Sequence, residues 1–172
     1  MKLARAIAIG LKISEQLAPM CEKIEIAGSI RRARPEVGDL DLVILPQAGQ
    51  LAAIKARCAS KCAVVRDGEQ NCIYRLTLSD RTEFQIDVFF ARPAVADLLN
   101  VAPGNFGTLL LCRTGSKEHN IFLVEHAKRC GLRWNPYRGV INPANEVIAS
   151  ETEADIFQAL DLPFIKPEER ER

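Results

Sequence analysis

The sequence has no long apolar segment. In its 172 residues, no apolar run approaches the roughly 20 residues that a helix needs to span a bilayer. We therefore do not expect a membrane protein. The N-terminal stretch MKLARAIAIGLKISEQLAP is interrupted by charges, and it predicts an amphipathic helix over residues 2–18 rather than a signal peptide. With 48% hydrophobic and 26% charged residues, the composition is that of a globular protein.

Cysteine pairs and closely spaced histidines are also missing. None of the six cysteines belongs to a CxxC pair. Without a secretion signal we expect reduced thiols in a cytoplasm, not zinc ligands or disulfides. His119 and His126 lie seven residues apart, whereas a metal-binding pair usually has a spacing of about three or four. We expect both histidines at the surface or its boundary, where a contact with DNA phosphate is one option.

A strong overall charge is absent as well. The net charge is +1, which excludes a chain-wide attraction to nucleic acids. Any such binding must come from local basic clusters, and the candidates are RRAR at 31–34 and AKRCGLRWNPYRG at 127–139. A solvated protein face would explain such clusters nearly as well.

The hydrophobic pattern predicts an α+β protein in two parts. We expect a first domain over residues 1–95, with a sheet of about five strands and helices packed on it. The second domain, residues 96–172, would contain a helix, a Thr-Gly-Ser turn, a helix capped by Ser116, and short strands. Ser150 and Glu153 predict a capping box for the last helix.

The stretch AGSIRRARPEVGDLDLVI contains two acidic residues in an otherwise apolar strand. Successive side chains of a strand alternate between faces, so Asp39 and Asp41 lie on one side, about 7 Å apart. Leu40, Leu42 and Ile44 lie on the other side and can join the core. Two carboxylates this close favour a cation between them, and a hard divalent ion such as Mg²⁺ prefers oxygen ligands.

A third acid strengthens this interpretation. Asp87 stands in FQIDVFF, a second short apolar strand. If the two strands are neighbours, the three acids share one face of the sheet, which is typical of two-metal phosphoryl transfer. One metal ion would lower the pKa of an attacking hydroxyl group, and the other would hold the leaving phosphate. The alternative is that Asp39 and Asp41 mark the start of a strand at a solvated edge.

The segment GSIRR, just before these acids, predicts a phosphate site. Gly28 allows the backbone to approach a ligand closely. Ser29 offers a hydroxyl and an amide, and Arg31 or Arg32 can contact phosphate through two hydrogen bonds. A Gly-Ser turn alone is common, but one followed by arginines and then by GDLD is much less so.

Together these motifs resemble a known superfamily. GSIRR followed by GDLDLVI is similar to the signature of the polymerase-beta-like nucleotidyltransferases. FGTLLLCRTGSKEHNIFLVEHAKRCG and PFIKPEERER resemble the C-terminal, nucleotide-selecting thumb of family X DNA polymerases. The resemblance extends from about residue 20 to the end. It implies an α+β fold, in which a nucleotidyltransferase palm with a mixed sheet precedes a small α/β thumb.

The resemblance implies a DNA polymerase that extends a primer 3′-hydroxyl, with short-gap filling in DNA repair as its role. Asp39 and Asp41 would bind two Mg²⁺ or Mn²⁺ ions, and Asp87 would bind the catalytic ion. The hydroxyl would attack the α-phosphate of a dNTP and release pyrophosphate. The implied nucleotide-binding residues are Gly28, Ser29, Arg32, Gly38, Cys112, Arg113, Gly115 and Asn120. The implied DNA-binding residues are Lys128, Arg129, Arg133, Tyr137 and Arg138.

The sequence departs from the family pattern in several places. Cys112 and Arg113 replace the aromatic pair that relatives commonly have before the Thr-Gly-Ser turn, which leaves selection between dNTP and rNTP open. Gln85 stands where relatives often have an arginine, which would weaken primer positioning. Pro136 replaces an acid and Val124 replaces an arginine. The chain is too short for a lyase domain and helix-hairpin-helix fingers.

We expect a monomer of bacterial or viral type, acting in the cytoplasm on primer-template or gapped DNA. One rival keeps the chemistry but transfers a nucleotide to RNA or protein without a template. The thumb motif argues against it, because small transferases of that kind usually lack a thumb. A second rival is a non-catalytic module that binds nucleotide or DNA. Three intact acids argue against that.

Overall fold

The chain folds as two compact units, Met1–Ala91 and Arg92–Arg172. The computed structural model describes residues 1–96 and 101–171, with the backbone alone for Val101. Each unit has its own hydrophobic core. Within the described residues, no helix is both long and apolar enough to cross a bilayer.

The first unit is a five-stranded mixed sheet with helices. Its elements are α1 (Leu3–Leu17), β1 (Cys21–Ile26), α2 (Gly28–Arg31), β2 (Asp39–Pro46), α3 (Leu51–Ala59), β3 (Ala63–Asp67), β4 (Asn71–Thr77) and β5 (Glu83–Phe90). The strand order is β1-β2-β5-β4-β3. Strands β2 and β5 are parallel, and all other neighbours are antiparallel. The predicted sheet of about five strands with helices is therefore confirmed.

The core of the first unit lies on the sheet face that carries Leu40, Leu42 and Ile44, all of which are fully buried. Helix α1 packs closely on this face at Gly10. A Cβ atom at Gly10 would lie 2.8 Å from Cδ1 of Ile26 and 3.1 Å from Cδ1 of Leu40. Because the apolar face is covered in this way, the acidic residues of β2 are left to the opposite face.

The second unit packs helices on a small antiparallel sheet. Its elements are β6 (Val95–Ala96), β7 (Val101–Ala102), α4 (Phe106–Thr114), α5 (Lys117–Arg129), β8 (Arg133–Asn135), β9 (Gly139–Ile141), β10 (Val147–Ala149) and α6 (Glu153–Ala159). Strands β6 and β7 pair with each other, and the three-stranded sheet has the order β10-β9-β8. Trp134 packs in the core, and its indole Nε1 donates a hydrogen bond to Oγ1 of Thr108 at 3.0 Å.

The structure confirms one of three local predictions for the second unit, which concern two helix caps and the position of His119. Ser116 caps α5 as predicted, because its Oγ accepts a hydrogen bond from the His119 amide at 3.0 Å. The Ser150 cap is wrong. Thr152 caps α6 instead, and the Ser150 hydroxyl donates to the carbonyl of Gly104. The surface position of His119 is also wrong, because its side chain is fully buried in the stripe with Leu123.

Candidate active site

The three aspartates lie on one face of the two parallel strands. In the register between β2 and β5, Asp41 is paired with Asp87 and Asp39 with Gln85. Paired residues of neighbouring strands project from the same face, so Asp39 and Asp41 share that face with Asp87. All three are half-buried. The two strands are neighbours, so the condition under which the three acids share one face is met.

Gln85 orients the third aspartate. Its side-chain Nε2 donates a hydrogen bond to Oδ1 of Asp87 at 2.8 Å. A neutral amide fixes the carboxylate without cancelling its charge. Gln85 therefore positions the side chain of Asp87.

A divalent cation suits these aspartates in donor type. Three carboxylates on adjacent rigid strands form an all-oxygen donor set of the kind that Mg²⁺ and Mn²⁺ prefer. As placed, however, their side chains do not converge. Across residues 1–96 and 101–171, no three His, Cys, Asp or Glu side chains are close enough to hold an ion. The case for a divalent cation at these aspartates therefore rests on the strand register and on their carboxylate oxygens.

The GSIRR segment lies directly against the aspartates. It forms the short helix α2 rather than the turn expected from the sequence. The amide of Ala27 donates to the carbonyl of Asp41 at 2.9 Å. Gly28 has φ +60°, and a Cβ atom there would overlap the Asp41 carboxylate. Only glycine meets both requirements, so Gly28 allows the helix to start beside the acid.

The side chains of this segment leave one polar group available. Oγ of Ser29 is buried and has no hydrogen-bond partner within the described part of the chain. Arg32 is half-buried at the end of the same helix, where its amide donates to the carbonyl of Gly28. Gly38 is exposed, and nothing lies within 4 Å of the position a Cβ atom would take. A buried hydroxyl without a partner is costly, which suggests a ligand for Ser29.

The remaining candidates belong to the second unit, where Asn120 is held beside the Thr-Gly-Ser turn. Its Nδ2 donates to the carbonyl of Cys112 at 2.8 Å, and its Oδ1 is buried without a hydrogen-bond partner in the described residues. A Cβ atom at Gly115 would lie 3.0 Å from this Oδ1. Burial raises the pKa of the Cys112 thiol, although the nearby Arg113 opposes the effect.

A cleft of about 620 Å³ opens beside Asn120. It brings together three predicted residues, Cys112, Asn120 and Lys128. The other lining residues are Lys117, Ile121, Val124, Glu125, Trp134 and Pro136. Much of the wall is apolar, so the cleft suits a flat, weakly polar ligand edge rather than a phosphate.

Arg113 and Tyr137, predicted for different tasks, contact each other. Nη2 of Arg113 donates to the Tyr137 hydroxyl at 2.8 Å, and the guanidinium lies 5.8 Å from the ring centre. Asn105 fixes the tyrosine, because its Nδ2 donates to the Tyr137 carbonyl at 2.9 Å. No sequence motif singles out Asn105. Its burial and these contacts become visible only in the fold.

Two of the predicted DNA-binding arginines meet at one amide. Nη2 of Arg133 donates to Oδ1 of Asn145 at 2.9 Å, and Arg138 donates to the same oxygen at 3.4 Å and to the Asn145 carbonyl at 3.3 Å. Lys128 and Arg129 are exposed at the end of α5. Two guanidinium groups held on a neutral amide keep their positive charge, which makes the pair suitable for an anion.

Comparison with known proteins agrees with this fold. Residues 109–171 match the family model described as DNA polymerase beta thumb. The chain is 31% identical over 170 residues to the DNA polymerase/3′-5′ exonuclease PolX of Bacillus subtilis, covering 96% of this chain and 28% of that protein. The chain thus spans about 28% of the length of the curated relative it matches.

Solved structures show the same architecture. The Leishmania infantum polymerase beta ternary P/T complex matches with a TM-score of 0.81 at 19% identity, over 100% of this chain and 77% of that chain. The ternary gap complex of the same protein matches with a TM-score of 0.79 at 18% identity, over 100% and 71%. The chain therefore has the fold of these polymerase beta structures. Together with the thumb match over residues 109–171 and the similarity to PolX, this fold makes the chain similar to DNA polymerases of the polymerase beta and PolX type.

Proposed function

We propose that this chain is a DNA-directed DNA polymerase that transfers nucleotides from dNTPs to a primer 3′-hydroxyl. The observation that carries the proposal is the register of β2 and β5, which pairs Asp41 with Asp87 and leaves Asp39 on the same face. The buried, unpartnered hydroxyl of Ser29 follows directly after the glycine that lies against Asp41. In this arrangement, carboxylates that can bind a metal ion lie next to a hydroxyl that can donate a hydrogen bond to a phosphate.

In the proposed reaction, the primer 3′-hydroxyl gives its proton to solvent water, and its oxygen bonds to the α-phosphorus of the dNTP. The bond from that phosphorus to the pyrophosphate oxygen breaks. Asp39, Asp41 and Asp87 would hold two divalent ions, which supply charge stabilisation and a lowered pKa for the hydroxyl. Ser29, Arg32 and the Gly38 amide donate hydrogen bonds to the β- and γ-phosphates, and Gly28 gives the backbone room to approach them.

The proposed palm is the first unit and the proposed thumb is the second. In the thumb, Asn120 contacts the incoming base and the turn around Gly115 forms one wall of the sugar pocket. The Arg133 and Arg138 pair binds a DNA phosphate, with Lys128 and Arg129 as further basic contacts. Primer-template and gapped DNA are the proposed substrates, because both similar Leishmania structures are ternary complexes, one P/T and one gap. We propose short-gap repair by a cytoplasmic monomer.

One assay tests the proposal. Purified protein is given Mg²⁺ or Mn²⁺ with single-stranded, recessed or one-nucleotide-gapped DNA, and each dNTP and rNTP is supplied separately. We expect extension by the nucleotide that matches the template. Indiscriminate tailing would favour an untemplated nucleotidyltransferase instead. Absence of incorporation with every substrate and both metals would contradict both enzyme activities.

The basic residues of the thumb can be tested separately by titrating DNA affinity against salt. Each lost phosphate contact lowers the salt slope by about 1. We expect this change for Arg133→Gln and for Arg138→Gln. An unchanged salt slope in both variants would show that Arg133 and Arg138 do not contact DNA phosphates.

A further inference from the structure

The most deeply buried cation of the described residues lies near the end of the second unit. The side chain of Arg170 is 0% exposed, and its Nη1 forms an ion pair with Oε1 of Glu153 at 2.7 Å. Its Nε donates to the Ile165 carbonyl at 2.9 Å. The guanidinium carbon also lies 5.4 Å from the ring centre of Phe157 and 5.6 Å from that of Phe164. These contacts hold the segment 164–170 in one conformation.

This C-terminal segment is bonded to the Thr-Gly-Ser turn. The backbone carbonyl of Arg170 accepts a hydrogen bond from the Ser116 amide at 3.3 Å. Ser116 is the N-cap of α5, and its own carbonyl accepts from the amide of Asn120 at 3.0 Å. Two consecutive hydrogen bonds therefore connect Arg170 with Asn120.

The other partner of the ion pair is fixed to the helix that leads into the same turn. Glu153 stands in the first turn of α6. The start of α6 lies so close to α4 that a Cβ atom at Gly107 would overlap the backbone of Thr152. Helix α4 ends at Thr114, immediately before Gly115. The ion pair thus joins the segment 164–170 to the structure that carries the turn.

We propose that Arg170 is a positioning residue for the nucleotide pocket: its ion pair with Glu153 holds the segment 164–170 against Ser116 and thereby fixes Asn120. The inference rests on the proposed function, because it takes Asn120 as the contact to the incoming nucleotide. Arg170 itself touches no reacting group. Its loss should therefore weaken dNTP binding more than it slows the chemical step.

The test compares three variants. Arg170→Lys keeps the charge but loses the Nε donor and the planar fork. The double variant E153L/R170M replaces the ion pair by apolar groups, a change that folded proteins often tolerate. Lys166→Gln, an exposed change in the same segment, is the matched control. The measurements are the hydrogen exchange of the Ser116 amide, the NMR signal of the Asn120 side-chain amide, and KM and kcat for dNTP.

We expect Arg170→Lys and the double variant to exchange the Ser116 amide about tenfold faster and to shift the Asn120 signal. We also expect dNTP KM to rise about fivefold while kcat stays within about twofold. Lys166→Gln should match the wild type. A wild-type KM in a folded variant, or an equal rise in Lys166→Gln, overturns the inference. Hydrogen exchange of the Ser116 amide and the NMR signal of Asn120 test the structural link from Arg170 even if the protein is inactive. An inactive wild type would contradict only the proposed function.

Discussion

The two units build their candidate sites in different ways. In the first unit, the positions of Asp39, Asp41 and Asp87 follow from the pairing of two central strands. In the second, Asn120 and Tyr137 are placed by turns and by side-chain hydrogen bonds to backbone carbonyls. A strand ladder fixes many residues at once, whereas a hydrogen-bonded turn depends on a few contacts. Changes at the aspartates of the first unit should therefore affect chemistry, and changes at Asn120 or Tyr137 in the second should affect selection and affinity.

The largest expected effect comes from Asp41→Asn. Loss of one of three carboxylates removes charge that the reaction needs, so kcat should fall by about 1,000-fold. The fold should persist, because the neighbouring Leu40 and Leu42 remain buried. Steady-state extension of a recessed primer measures the change. Glu83→Gln, which alters an exposed acid at the start of β5, is the control, and an equal loss there would contradict the assignment.

A smaller but still large effect is expected for Gly28→Ala. The substitution costs about 1–2 kcal/mol because of the left-handed backbone, and its methyl group would also push against the Asp41 carboxylate. We expect kcat to fall by about 100-fold. Gly49→Ala is the matched control, because Gly49 has φ +76° and nothing lies within 4 Å of its would-be Cβ. Urea unfolding should show a loss of stability in both variants, larger in Gly28→Ala because of the contact with Asp41, and primer extension should be reduced in Gly28→Ala alone.

Ser29→Ala tests the phosphate site. A hydrogen bond to a charged phosphate contributes about 1.5–3 kcal/mol, so dNTP KM should rise by about tenfold or more. The free energy of unfolding should not fall and can rise, since the substitution removes a buried hydroxyl that has no partner to lose. Ser14 also has a buried, unpartnered hydroxyl. As the control, Ser14→Ala should change the free energy of unfolding as Ser29→Ala does, while its dNTP KM should equal that of the wild type. If Ser29→Ala has the KM of the wild type, Ser29 does not bind the phosphates of the dNTP.

The smallest expected effect concerns the sugar pocket. Arg113→Phe should raise the dNTP to rNTP selectivity by about fivefold, because a ring would stand closer to a ribose 2′-hydroxyl. Competition between dNTP and rNTP on a recessed primer measures the ratio. Tyr137→Phe, which removes only the hydroxyl that accepts from Arg113, shows whether that hydrogen bond holds the arginine in place. An unchanged ratio in Arg113→Phe would mean that this side chain does not contact the sugar.

The sequence was sufficient where local periodicity decides the structure. Alternation along one strand placed Asp39 and Asp41 opposite Leu40 and Leu42, and the sheet has this arrangement. The pairing of Asp41 with Asp87 could be stated only as a condition, because a partner 46 residues away depends on the whole sheet. That condition is met.

Other features were missed for different reasons. His119 lies on the same helix stripe as Leu123 and Ala127, at a spacing of four residues, so its burial could have been read from the pattern. The contact of Arg113 with Tyr137 joins a helix to a distant turn, and no local signal predicts it. The link from Arg170 to Ser116 is equally non-local.

The parallel register of β2 and β5 also has a consequence for folding. If β5 slipped by one residue, Asp87 would enter the core face and Ile86 and Val88 would leave it. Such a slip would bury a charge and expose two apolar side chains, both of which are unfavourable. A misaligned sheet is therefore too unstable to persist. The register of β2 and β5 that builds the hydrophobic core is therefore the same register that brings the three aspartates onto one face.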